Sequence, residues 1–241
     1  MSTYRIRIEG GIKMNINKIL SVFLMLLILL PGCYEPAAEK NADEFYGIDI
    51  DSKDVPMFTL ITENGTQFNL SEYEGKVVVI SFLFTRCPDV CPVVVQSLKW
   101  LSQQFPDEYK SELEILAVTV DPWLDTPESM KQWKENMSAD WNFLSWNVDP
   151  DNDGTWNPEE MAVMEEVWGA FDVGLQTYKA NGTNNSETSG RHHPFEYFID
   201  HTTSTFILDK NLKQRIEWMD LDWVPELVEK DVRKLLDEEV N

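Results

Sequence analysis

The chain has 241 residues, a length that suits one domain plus a targeting segment, and 43% hydrophobic content is enough to bury a sizeable core. Its formal net charge of -22 excludes DNA, RNA and anionic lipid as surface partners, since their phosphates would be repelled. Three cysteines, Cys33, Cys87 and Cys91, are too few for a disulfide scaffold.

The N-terminus reads as a targeting signal. Residues 19–32 form an uncharged, apolar run, preceded by Lys13 and Lys18 with Arg5 and Arg7 further out. A basic segment followed by a short apolar run is the layout of a secretory signal, here residues 1–32, and the stretch from Met14 is already complete as one. The run is too short to span a membrane comfortably. Leu30-Pro31-Gly32-Cys33 resembles a bacterial lipobox, with Pro31 unusual in it, so Cys33 is the candidate lipidation site. An uncleaved anchor helix is the competing reading. Both hold the rest of the chain at the outer face of the cytoplasmic membrane through an N-terminal anchor. Removing the signal takes away four basic residues and Glu9, so the balance moves from -22 to -25 and the acidity belongs to the exported part. That acidity reads first as a solubility adaptation and second as a surface attracting a basic partner. Residues 33–54 are polar, acidic and weakly patterned and read as a lipid-anchored tether, leaving 55–241 as the folded domain.

Within the domain, Met57 to Leu60 and Gln67 to Leu70 flank Thr62-Glu63-Asn64-Gly65, a strong hairpin signal. After Gly75-Lys76, the continuous apolar run Val77 to Phe84 predicts a buried central strand. Residues 89–104 carry Val93, Val94, Leu98 and Leu101 at helical spacing, and Leu113 to Val120 predicts a second buried strand. Asp125-Thr126-Pro127-Glu128 reads as a helix start, with a cap candidate, proline at the first position and an early acid. Residues 149–160 read Asp-Pro-Asp-Asn-Asp-Gly-Thr-Trp-Asn-Pro-Glu-Glu and match an EF-hand loop. Asp149, Asp151 and Asp153 would supply carboxylates to Ca2+, Thr155 its carbonyl, and Glu160 a bidentate closing carboxylate. The segment before Asp149, Phe143 to Val148, reads as strand or loop, so this is a calcium loop without a full EF-hand. Pro158 to Phe171 predicts a third helix, and residues 181–195 a polar surface loop carrying His192 and His193. Glu196 to Ile199, Ser204 to Leu208 and Arg215 to Trp218 predict further strands, and Val224 to Leu236 a closing amphipathic helix. The pattern supports an α/β fold with a mixed central sheet flanked by helices and an N-terminal β-hairpin.

The most informative stretch is Thr85-Arg86-Cys87-Pro88-Asp89-Val90-Cys91-Pro92, where a buried strand runs into a helix. Thiols four residues apart lie on one face of a helical turn, and a helix N-terminus favours thiolate over thiol. Two adjacent thiolates form a soft ligand pair suited to Cu(I) or Zn(II). A structural disulfide is the bland alternative.

This stretch resembles the Thr-x-Cys-Pro-Asp-Val-Cys-Pro signature of the SCO/SenC family. Further matches follow in order: Asn64-Gly65, Gly75-Lys76, Val120-Asp121-Pro122, Asp125-Thr126-Pro127, and Asp200-His201 ahead of Thr205-Phe206-Ile207-Leu208-Asp209. The resemblance covers about residues 55–238 and implies a thioredoxin-like fold. It further implies one copper ion, as Cu(I) or Cu(II), held by Cys87, Cys91 and His201, with Asp200 supporting the ligands from behind or serving surface recognition. The implied role is a metallochaperone, rather than an enzyme, that serves the dinuclear copper centre of a haem-copper cytochrome oxidase. Its implied partners are the oxidase's copper-bearing subunit and other copper carriers. By itself a lone histidine before a strand is more often structural than a ligand. His192 and His193 compete with it, in a loop that looks like an insertion.

The main alternative is a membrane-anchored thiol–disulfide oxidoreductase using Cys87 and Cys91. Against it, the usual redox spacing is Cys-x-x-Cys, and His201-Thr202-Thr203-Ser204 stands where thioredoxins carry a proline. A peroxiredoxin-like signature would need proline at position 80 and Thr or Ser at 84, where the chain has Ile80 and Phe84. A copper store with no delivery partner is the binding-module alternative.

Overall fold

A computed structural model describes residues 44–88, 90–146, 158–179, 197–219 and 222–239. Eight strands build the main sheet: β1 (Ile48–Lys53), β2 (Thr59–Thr62), β3 (Gln67–Asn69), β4 (Val77–Leu83), β5 (Leu113–Thr119), β6 (Asn142–Ser145), β9 (Ser204–Leu208) and β10 (Gln214–Met219). Their order is β1-β10-β9-β4-β5-β6-β2-β3, while β7 (Leu175–Lys179) and β8 (Tyr197–His201) pair separately as a two-stranded sheet. β4, β5 and β6 run parallel and the other pairings are antiparallel, so the sheet is mixed. Among the described residues four α-helices accompany it: α1 (Cys91–Gln104), α2 (Pro127–Met137), α3 (Pro158–Ala170) and α4 (Pro225–Asp237). Among the described residues no helix is long and apolar enough to cross a membrane.

Local chemistry explains most elements. Every residue of β4 is buried, as expected for a Val/Ile/Phe/Leu run covered on both faces. Asn64-Gly65 makes the turn between β2 and β3. The amide of Gly65 donates to the carbonyl of Thr62 at 2.9 Å, with Gly65 at φ +74°, a conformation glycine adopts without a Cβ penalty. Thr126 caps α2 by accepting from the Ser129 amide at 3.3 Å, Pro127 occupies the first turn, and Ser138 closes the helix in the left-handed region. Helix α4 buries Val228, Val232, Leu235 and Leu236 and packs against α1.

Two boundaries differ from the sequence expectation. The tether expected over 33–54 gives way to the fold at residue 45. Phe45 is buried between the cations of Arg215 and Lys234, and Ile48–Lys53 form β1 on the edge of the sheet against β10. The amides of Tyr46 and Gly47 donate to the buried carboxylate of Asp231 at 2.8 and 2.9 Å, and Trp218 Nε1 donates to it at 3.1 Å. A Cβ on Gly47 would meet Ile216 at 2.5 Å and Trp218 at 2.6 Å, so no side chain fits there. The second difference is that β8 runs on through Asp200 and His201, and pairs with β7, an unforeseen strand.

Candidate metal centre

Parallel β4 and β5 end side by side, with the Val120 amide donating to the Leu83 carbonyl at 2.9 Å. The loops that follow them lie together at this end of the sheet. After β4, Phe84 leads into a turn in which the Cys87 amide donates to the Phe84 carbonyl at 3.3 Å. Helix α1 then starts at Cys91, with Pro92 in its first turn where no amide donor is needed. Cys87 therefore sits in the loop before the helix, not on a helical turn, because the backbone must still change direction out of the strand. The two thiols are nonetheless together. They are not joined in a disulfide, both are buried, and Cys87 is close enough to push the Cys91 thiol up.

Their charge state departs from the expectation drawn from the helix terminus. Burial pushes the Cys91 thiol well above its ordinary range, and the Cys87 thiol and the charge of Asp125 push the same way. Cys91 is wholly removed from solvent, so desolvation outweighs the pull of the helix N-terminus. Burial therefore favours the thiol form of Cys91 over the thiolate.

His201 reaches the same end of the sheet from β8. Antiparallel pairing of β9 with β4 puts Thr205 opposite Ser81, where their hydroxyls bond at 2.7 Å, so the 201–204 segment passes the end of β4. The His201 ring packs edge-on against Phe84 with centroids 5.6 Å apart. Its Nδ1 lies 2.9 Å from the Thr202 carbonyl, a contact that sets Nδ1 as the protonated nitrogen and Nε2 as the lone-pair nitrogen. Thr202 is itself held by reciprocal bonds with Gly174. Asp200 precedes His201 in the strand and so faces the opposite side. It is exposed while His201 is buried, which suits surface recognition. Among the described residues, no three His, Cys, Asp or Glu side chains are grouped closely enough to hold an ion, so the thiol pair and His201 are gathered at one end but not yet closed on a common point.

The structure adds residues to which the sequence assigned no role. Thr85 and Arg86, directly before Cys87, are each held by a buried acid from the loop after β5. The Arg86 guanidinium pairs with Asp121. The carboxylate of Asp125 accepts from the Thr85 hydroxyl at 2.5 Å, from the Thr85 amide at 3.2 and 3.3 Å, and from the Thr119 hydroxyl at 2.5 Å. Burial, then the neighbouring Asp121, raise Asp125 to about 7. The one local signal for these roles is Val120-Asp121-Pro122 with Asp125-Thr126-Pro127, two acids four residues apart in an apolar setting. The calcium-loop residues Asp149, Asp151, Asp153 and Thr155 lie outside the described residues, as do the side chain of Glu160, His192, His193 and Cys33.

Residues 51–237 match the SCO1/SenC family model. A putative copper-binding protein of Stutzerimonas stutzeri is 30% identical over 129 residues, covering 52% of this chain and 63% of that protein, so the match spans under two thirds of the relative's own length. The apo Sco1 protein of Thermus thermophilus superposes with a TM-score of 0.61 at 26% identity, over 82% of this chain and 100% of that one. BsSco, described as a member of the Sco family of cytochrome c oxidase assembly proteins with a disulfide switch, superposes at 0.54 and 17% identity over 80% and 98%. These neighbours share the thioredoxin-like fold that the sequence resemblance implies.

Proposed function

The chain belongs to the SCO1/SenC family, and from that membership we propose that it carries one copper ion on Cys87, Cys91 and His201 and helps assemble a copper-containing cytochrome oxidase. The observation that supports this most is that two buried, unbridged thiols and a buried imidazole packed on Phe84 all lie at the same end of the central strand. Two soft sulfurs and one nitrogen are a donor set suited to Cu(I). Two thiolates would be costly in so buried a place without a cation, and a bound Cu(I) offsets that charge while two protons leave. Loading then requires the His201 segment to close on the thiol pair. The cargo is destined, in this reading, for the dinuclear copper centre of a haem-copper oxidase, received from other copper carriers. The protein works at the outer face of the cytoplasmic membrane, held by lipid on Cys33.

Titrating the reduced, signal-less protein with Cu(I) against a chromophoric competitor tests the ligand set. One tight site is expected, lost on Cys87→Ala, Cys91→Ala or His201→Ala; parent-like binding by His201→Ala would overturn the assignment. Deleting the gene should lower oxidase activity, with partial rescue by added copper, and unchanged oxidase assembly in copper-poor medium would count against delivery. Cys33→Ser should release a soluble form; membrane association persisting after confirmed signal cleavage would count against the lipid.

The two neighbouring, unbridged thiols also admit a second reading, a thiol–disulfide oxidoreductase acting on the oxidase's own cysteines. An insulin-reduction assay beside the copper titration separates the two.

A further inference from the structure

Asp125 is a buried carboxylate, and among the described residues no cation is bonded to it. Its neighbour Asp121 has Arg86. Asp125 has two hydroxyls and one amide, and two of those three donors belong to a single residue, Thr85. A buried carboxyl, which must be desolvated to sit here, is an expensive way to secure a loop that a packed apolar residue could also secure. What a carboxylate supplies and a neutral group does not is two equivalent acceptor oxygens able to grip one residue by its backbone and its side chain together. Thr85 stands two residues before Cys87, and the turn from Phe84 to Cys87 runs through it.

We propose that Asp125 is a positioning residue for the metal-carrying thiols: gripping Thr85 by amide and hydroxyl, it sets where Cys87 stands relative to Cys91. The Thr119 hydroxyl, bonded to Asp125 on one side and accepting from the Asp121 amide at 2.8 Å on the other, ties the grip to the end of β5. Cys91 is placed by the start of α1, whereas Cys87 lies in the preceding loop, so the spacing between the thiols depends on what holds that loop.

The inference rests on Cys87 and Cys91 being the working thiols, and the test separates it from the copper reading. Thr85→Val, Thr85→Ser and Asp125→Asn are compared with the parent as the full exported chain. One arm is free of metal: the equilibrium of the Cys87–Cys91 dithiol with glutathione disulfide, in which the two thiols give up two electrons and two protons and two glutathione molecules are formed. The other arm is Cu(I) affinity by competition. Thr85→Ser keeps both bonds to Asp125 and is expected to match the parent in both arms. Thr85→Val keeps the amide bond and loses the hydroxyl. It is expected to change the dithiol–disulfide constant tenfold or more, about 30 mV, and to weaken Cu(I) at least tenfold, with an unchanged circular dichroism spectrum. Asp125→Asn should do the same, and Thr85→Val carries the test if that variant does not fold. A Thr85→Val protein equal to the parent in the glutathione equilibrium overturns the proposal. A parent that binds no Cu(I) overturns the copper reading instead, and the glutathione arm still decides the role of Asp125.

Discussion

Phe84 meets His201 edge to face, its ring centroid 5.6 Å from the imidazole's and the planes at 73°. One aromatic residue, three positions before Cys87, thus steadies the imidazole proposed as a copper ligand and stands at the end of the strand that leads to the two thiols. Contacts of this kind are worth about 0.5–1.5 kcal/mol beyond burial. Phe84→Leu is therefore expected to keep the fold and weaken copper binding roughly two- to tenfold. Asp200→Asn, on the other face of β8, should leave copper affinity unchanged while altering any partner association. Competition titrations on both variants check this, and a larger loss in Asp200→Asn than in Phe84→Leu would place the acid at the metal after all.

Asp125 makes stability depend on pH with a definite sign. Burial lifts it from an ordinary 3.8 to about 7, so the folded state holds its proton more tightly than the unfolded state does. Its contribution is most favourable below about pH 4 and is lost as pH rises through the folded value near 7, at about 1.4 kcal/mol for each pH unit crossed and about 4 kcal/mol in all. The quantity to follow is the difference between parent and Asp125→Asn. The gap in unfolding free energy should move in favour of Asp125→Asn between pH 4 and pH 7 and then level off. Urea midpoints at four pH values measure it, and parallel curves for the two proteins would contradict the burial.

Gly47→Ala introduces a methyl group into contact with Ile216 and with the indole of Trp218 that bonds Asp231. Overpacking of this order costs about 1–3 kcal/mol. A lower urea midpoint is expected with copper affinity unaltered, since the strap at 45–47 is not part of the thiol end. An equally stable Gly47→Ala would mean the strap moves aside without cost.

The acidic run at 149–160 carries a prediction from its sequence alone, with α3 starting at Pro158 as an exiting helix requires. Millimolar Ca2+ should raise the melting temperature of the metal-free protein, by the linkage of ligand binding to folding. Asp149→Ala with Glu160→Ala should abolish the rise. Equal melting temperatures in Ca2+ and in chelator would dismiss the site.

The parts of this protein that were legible in its sequence are those whose cause is local. Val77–Leu83 and Leu113–Thr119 announce buried strands because nearly every side chain is apolar, and Thr126-Pro127 announces a helix start through its own hydroxyl and ring. Cys87 and Cys91 announce a pair of neighbouring thiols by spacing, and they stand buried and unbridged at the end of the central strand. The rest depends on distant partners. Strand β1 places acids at Asp49 and Asp51, and only pairing with β10, over 160 residues later, makes it a strand. The grip of Asp125 on Thr85 spans 40 residues. The thiol of Cys91 misled for the same reason: a helix terminus is visible in the sequence, whereas the burial that overrides it is built by the whole fold.

The early start of the fold at Phe45 has a geometric consequence for delivery. With Cys33 as the anchored residue, the leash to the domain is 12 residues long and not the 22 that a tether ending at 54 would allow. A chain reaches at most about 3.3–3.6 Å per residue, so the point of attachment stays within about 40 Å of the lipid surface, where the longer leash would permit nearly 80 Å. That distance is of the order of a single domain's width. Under the proposed lipid anchor and copper delivery, a receiver is therefore expected to present its site within reach of a domain held this close to the bilayer.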